Sequence, residues 1–179
     1  MLCVDVHYEE QRAVAAGVGF RDWPDADSAL EVVVPSELAP EPYEPGAFYK
    51  RELFYLLDLV DLVRRREVVE VVVVDGHVWL EAGRAGLGAH LHRALGSTIS
   101  VVGVAKSMFR GGEARPVVRG ESQNPLFVTS EGIEVSKAAE YVCGMHGPYR
   151  IPTLLKRVDQ LARGNVEPVP AKSFSIGTG

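Results

Sequence analysis

Three acidic residues stand where an apolar core is expected. Asp5 interrupts the run LCVDVHY, Asp75 follows directly on four valines, and Glu52 falls in helical register with Leu56, Leu59, Val60 and Val63. A carboxylate beside buried apolar groups is costly unless it is paired, protonated or bound to a metal. In open sheets, the carboxyl ends of central strands are also where ligands collect. Each acid has a plainer reading as well. Asp5 can be a strand-end residue bonded to a backbone amide, Asp75 a turn or cap former in Asp-Gly-His, and Glu52 a complement to the helix dipole. The dipole gives Glu52 no reason to head the apolar stripe. If the three converge, they make an oxygen-only cluster whose mutual repulsion calls for a cation. Such donors suit Mg2+ or Mn2+ and fit zinc poorly. A site of that kind orients a water and stabilises charge on a phosphodiester under in-line attack.

Convergence depends on the elements that carry these residues. Leu2–Tyr8 and Arg12–Phe20 read as a hairpin about a polar turn, and Ala29–Val34 as a third strand ended by Pro35. Pro35–Gly46 is rich in proline and acid, which marks an exposed loop. From residue 47 to 66 the period is helical, with Leu56, Leu59, Val60 and Val63 on one stripe. Val68–Val74 is nearly continuous valine, as in a central strand covered on both faces. A helix over Gly86–Leu95 and a buried strand over Ile99–Ala105 follow, then short strands at Val117–Val118 and Leu126–Thr129. Helices over Val135–His146 and Ile151–Arg163 come last. Three antiparallel-looking strands, followed by strands alternating with helices, predict an α/β fold: a mixed β-sheet with helices on its faces. A single domain over residues 1–164 is expected, with a loosely ordered tail over 165–179.

Composition narrows the function classes. The 179 residues are 46% hydrophobic, enough for one well-filled core. The two cysteines, Cys3 and Cys143, exclude a disulfide scaffold and a four-cysteine zinc site. No apolar run approaches the ~20 residues of a membrane span, and MLCVDVHY has neither a basic region nor an apolar signal core. A soluble cytoplasmic domain without membrane contact is expected. The net charge of −5 is unevenly placed. Residues 1–48 hold ten acidic and two basic side chains, residues 49–179 fourteen and seventeen, so the second part can present a positive surface to phosphates. His90 and His92 lie two apart on one helix and cannot face the same way as a zinc pair would. Arg64–Arg66 at a helix C-terminus reads as a solvated face favoured by the dipole. No glycine-rich phosphate loop supports a doubly wound enzyme for a small phosphorylated metabolite.

Eight segments, in order, resemble endonuclease V, a deoxyinosine-directed nuclease family with a ribonuclease H-like fold. They are VDVHY (4–8), PYEPG (42–46), KRE (50–52), VVVVDGH (71–77), GLGAHL (86–91), VGVAKS (102–107), YRIP (149–152) and VDQLA (158–162). Each is weak alone, whereas their order and spacing are specific. The resemblance implies a ribonuclease H-like mixed sheet whose first three strands are antiparallel. It also implies a nick at the second phosphodiester bond 3′ to deoxyinosine, with Mg2+ or Mn2+ as cofactor. The implied partner is DNA, or RNA, containing inosine, bound by a monomer.

By motif, Asp5, Glu52 and Asp75 would be the metal-binding carboxylates, and Lys106 the active-site lysine holding a phosphate as a point charge. Tyr43 matches the strand-separating wedge, with Pro45 stiffening its loop. The backbones of Gly46 and Gly76 would approach the extruded base, and His77 would contact phosphate or serve only its turn. Two departures stand out. Glu81, Ala82 and Gly83 occupy the place of a histidine-proline-arginine turn, with Arg84 a partial substitute. That change favours the alternative of a weakened or inactive member that binds nucleic acid without cutting. Where the family completes its metal site after a serine–glycine turn, alignment of Ile133, Val135 and Ala138 puts Glu131 as the fourth carboxylate. The chain also lacks the family's helix before the first strand.

Overall fold

Near-continuous burial along valine-rich segments builds one sheet covered on both faces. The structure is a computed structural model that describes residues 1–8, 12–37 and 49–169. β1 (Leu2–Tyr8), β2 (Ala13–Gly19) and β3 (Leu30–Ser36) form an antiparallel meander, as the sequence predicted. β4 (Val71–Asp75) and β7 (Ser100–Ala105) run parallel to β1, β9 (Leu126–Glu131) returns antiparallel to β7, and β8 (Arg115–Val117) pairs antiparallel with β9 at the far edge. The order β3-β2-β1-β4-β7-β9-β8 places the three parallel strands at the centre. A small hairpin of β5 (Trp79–Glu81) and β6 (Arg84–Ala85), not foreseen from the sequence, fills the Glu81–Gly83 departure.

Four helices cover the two faces. α1 (Tyr49–Arg64) and α2 (Leu87–Ala94) pack Leu56, Leu59, Val60 and Leu91 on the face presented by Leu2, Val4, Val72 and Val74. α3 (Val135–Gly144) and α4 (Thr153–Ala162) pack Val142, Leu155 and Val158 on the opposite face, presented by Cys3, Val73, Val102 and Val104. The period of two along a strand decides this partition. It gives Asp5 and Asp75 the parity of Cys3 and Val73, hence the α3–α4 side of the sheet.

Boundaries moved where pairing overrides propensity. β4 starts at Val71, opposite Ser100, and Val68 is left 86% exposed rather than opening the strand. The helix read from Ile151 begins at Thr153, because Pro152 takes the N-cap position with extended backbone. Residues 165–169, assigned to the loose tail, are hydrogen-bonded: Arg157 donates to the Glu167 carbonyl, and the Val169 amide to Glu31. The remainder of that tail lies outside the described residues. Among the described residues, no helix is long and apolar enough to cross a membrane.

Candidate active site

Register brings the first two acids together. Val4 pairs Val74 in the parallel β1–β4 ladder, so one step further along, Asp5 and Asp75 are neighbours on the same face. β4 ends there, and Val104 of β7 lies opposite Asp75. Lys106 follows β7 immediately, and its Nζ donates to Asp75 Oδ2 at 2.6 Å. Glu52 arrives from the other face, at the start of α1, and is only 9% exposed. The site therefore sits at the carboxyl edge of the parallel strands, reached from both sides of the sheet.

The electrostatics confirm that these groups share one field. Burial, followed by the charges of Asp75 and Asp159, pushes the Asp5 carboxyl up to about 7. Burial, followed by Asp5 and Asp75, pushes Glu52 up to about 8. Burial works against the Lys106 ammonium, but the hydrogen bond and charge of Asp75 outweigh it and hold its pKa above the ordinary value. Shifts caused by burial plus specific like charges mark groups arranged for a task rather than for stability.

A cavity of about 320 Å3 opens at the same edge, with Asp5, Asp75, Lys106 and Asp159 in its lining. Asp159 on α4 is the residue that sequence reasoning did not assign to the site. A signal for it existed: it falls four residues after Leu155 and three before Ala162, at the flank of the buried stripe of α4. Its ion pair with Arg163, 2.8 Å at i,i+4 spacing, makes it look like an ordinary surface acid.

Glu131, expected as the fourth carboxylate, is corrected by the topology. β9 runs antiparallel to β7, and Glu131 pairs Val101, whereas the Asp75 end of β7 is at Val104. Three residues of strand, about 10 Å, separate those levels, and Glu131 instead accepts from Trp79 Nε1 at 2.7 Å. His77 turns its Nε2 to the Ser107 carbonyl at 3.0 Å, beside Lys106. Gly76 adopts φ +152°, the turn that ends β4. Arg84 pairs Glu81 at 3.4 Å and lies over the Phe109 ring, at the hairpin rather than at the acids. Tyr43, Pro45 and Gly46 lie outside the described residues.

Among the described residues, no group of three or more acids, histidines or cysteines is placed so as to hold a metal ion. The donor set itself fits a hard divalent ion: all oxygen, in excess of the available positive charge, and partly desolvated.

The endonuclease V family model matches residues 1–134. The chain belongs to the endonuclease V family. Among curated relatives, it is 30% identical to endonuclease V of Rhodospirillum centenum over 74% of this chain and 63% of that protein. The chain thus spans just under two thirds of that relative's length. It is 29% identical to endonuclease V of Pyrococcus abyssi over 91% of this chain and 78% of that protein. Among solved structures, human ENDOV superposes with a TM-score of 0.75 at 24% identity, over 92% of this chain and 82% of that one. Ciona intestinalis endonuclease V, solved with a 24-mer DNA containing an inosine followed by a ribo-adenosine, gives 0.76 at 20% identity over 92% and 84%. The fold is thus the ribonuclease H-like one that the resemblance implied.

Proposed function

We propose that this chain is a divalent-metal-dependent endonuclease that nicks strands at deoxyinosine, at the second phosphodiester bond 3′ to the base, with inosine in RNA as the related substrate. It works as a monomer in the cytoplasm. The observation carrying this reading is the gathering of acids from β1, α1, β4 and α4 in one field at the end of the parallel strands. The inosine-containing DNA bound to the Ciona relative supports the substrate class.

Asp5, Glu52, Asp75 and Asp159 would hold Mg2+ or Mn2+, which supplies an activated water and charge neutralisation at phosphorus. Lys106, whose Nζ donates to Asp75 Oδ2, would hold a non-bridging phosphate oxygen as a point charge. The positive-φ turn at Gly76 lets backbone approach the extruded base without a side chain between them. His77, anchored on Ser107, stands beside Lys106 for the neighbouring phosphate. Tyr43 on the PYEPG loop, with Pro45 and Gly46, would fill the gap left by the base.

Labelled strands carrying one deoxyinosine, one uracil or neither, incubated in Mg2+ and in EDTA, test this directly. Inosine-dependent, EDTA-sensitive nicking that is lost in Asp75→Ala is expected. Binding of the inosine strand without any cut would replace the reading with that of a non-cleaving member, and indifference to all strands would end it.

A further inference from the structure

The cavity at the acid cluster has a second wall that none of these roles uses. Besides the carboxylates it is lined by Leu126, Tyr149, Ile151, Leu155 and Lys156. Tyr149 is 69% exposed, although the loop carrying it is one of the most firmly held in the molecule. Arg119, only 5% exposed, donates to the carbonyls of Cys143, Met145, Tyr149 and Arg150. Arg150 in turn donates to the carbonyls of Pro125 and Lys106, tying the loop to the residue that ion-pairs Asp75. At Gly120 (φ +57°) the backbone runs so close to this loop that a Cβ would stand 2.0 Å from the Pro148 carbonyl oxygen.

Two guanidinium groups and a backbone contact thus fix residues 145–150, yet the aromatic ring they present is left in solvent. A ring that served only packing would be covered. Lys156 Nζ lies 5.9 Å from the Tyr149 ring centroid, and Lys106 stands across the cavity, so the apolar wall is flanked by positive charge. Asp159, which shares α4 with Leu155 and Lys156, is paired with Arg163. An aromatic face with adjacent cations, over a cavity of about 320 Å3, has the character of a single-strand nucleic-acid subsite: a π-surface for the base and ammonium groups for the backbone.

We propose that Tyr149 is the stacking platform for a nucleobase of the strand next to the scissile phosphate, with Lys156 holding that nucleotide's backbone phosphate. The placement relative to the scissile bond rests on the nuclease reading above; the stacking itself does not. Because the loop is fixed in the free protein, stacking orders only the nucleotide, which lowers the cost of holding the strand over the acids.

The test uses single strands with 2-aminopurine placed singly at positions around the inosine, bound in EDTA so that no cut occurs. Quenching of the probe is expected at one position flanking the second 3′ linkage. Tyr149→Ala should remove that quench and raise Kd roughly five- to one-hundred-fold, while Tyr149→Phe retains both. In Mg2+, Tyr149→Ala should raise KM with kcat at saturation little changed. Lys156→Ala should lower the salt dependence of log Kd by roughly one unit of slope, as for one lost phosphate contact. An unchanged Kd and an unchanged quench in Tyr149→Ala, with normal thermal unfolding, would overturn the subsite even if the protein nicks inosine strands. Quenching that depends on Tyr149 in a protein that never nicks would uphold the subsite and overturn the function proposed above.

Discussion

Glu52→Gln should make the metal-free protein more stable. Glu52 is 9% exposed, and burial followed by the charges of Asp5 and Asp75 raises its pKa from the ordinary 4.5 to about 8. Below the unfolded value, both states are protonated and the fold carries no penalty. As pH rises from 4.5 toward 8, the unfolded chain releases the proton first, so stability is lost across that window and is lowest above it. At pH 7 the shift acts over about 2.5 units; at roughly 1.4 kcal/mol per unit, the cost is about 3 kcal/mol. That is a large share of the roughly 5–15 kcal/mol that holds a domain. Glutamine keeps the shape and cannot ionise. Urea unfolding in EDTA should therefore show Glu52→Gln more stable by about 3 kcal/mol at pH 7 and equal to wild type near pH 4. The slope m should not change. Asp5, raised to about 7 by burial and the charges of Asp75 and Asp159, leaves a residual pH dependence in the variant. Millimolar Mg2+ should raise the wild-type midpoint more than the variant's, because the ion binds the folded carboxylates. A variant less stable than wild type at pH 7, with the same pH slope, would refute the reasoning.

Other perturbations separate the site from the scaffold. Asp159→Asn should abolish inosine-directed nicking while Glu131→Gln, which touches only the Trp79 bond, leaves turnover unchanged; the reverse outcome would restore Glu131 to the site. Arg157→Ala should cost roughly 3 kcal/mol, because it strands the Glu31 carboxylate, whose side chain is 2% exposed. Burial opposes ionisation of Glu31, but hydrogen bonds from Arg157, the Val169 amide and Ser28 outweigh it and hold its pKa below normal. That support exists above the unfolded pKa and is lost as pH falls, so wild type should show an acid-side stability loss that Arg157→Ala lacks in urea titrations. Gly103→Ala should lower stability by roughly 1–3 kcal/mol and impair nicking without touching an acid. Its Cβ would stand 2.6 Å from the Gly76 carbonyl oxygen and 2.8 Å from the Val78 nitrogen, forcing the turn that carries Asp75 to shift.

The parts legible in the sequence were those fixed by local periodicity. Valine alternation set the central strands, and the α1 stripe exposed Glu52 as an acid on the wrong face for solvent. The same test applied to α4 would have found Asp159, but its flank position and the Arg163 pair masked it. Glu131 was misplaced because a linear alignment carries no information on strand direction. Only the antiparallel pairing of β9 with β7 shows that residues late in β9 lie far from residues late in β7. The role of Tyr149 was equally hidden. Its presentation depends on Arg119, 30 residues earlier, spending a buried guanidinium on four carbonyls.

The site is assembled so that it conflicts with the stability of its own surroundings. Asp5 and Asp75 are fixed by β-ladder register, which cannot relax without slipping a strand and turning every valine to the wrong face. Glu52 and Asp159 belong to helices on opposite faces, each anchored by its own buried stripe. The backbones of all four are fixed, so repulsion is relieved by protons, by Lys106 and Arg163, or by a bound cation. Protons serve at low pH, where Asp5 and Glu52 stay neutral. Lys106 ion-pairs Asp75 and Arg163 ion-pairs Asp159, while Asp5 and Glu52 are held toward their neutral forms by burial and neighbouring charge. On the function proposed above, a divalent ion would neutralise more of the cluster at once and would compete with Lys106 for Asp75. If the ion competes with Lys106 for Asp75, Lys106→Ala should bind Mg2+ at least as tightly as wild type while cutting more slowly.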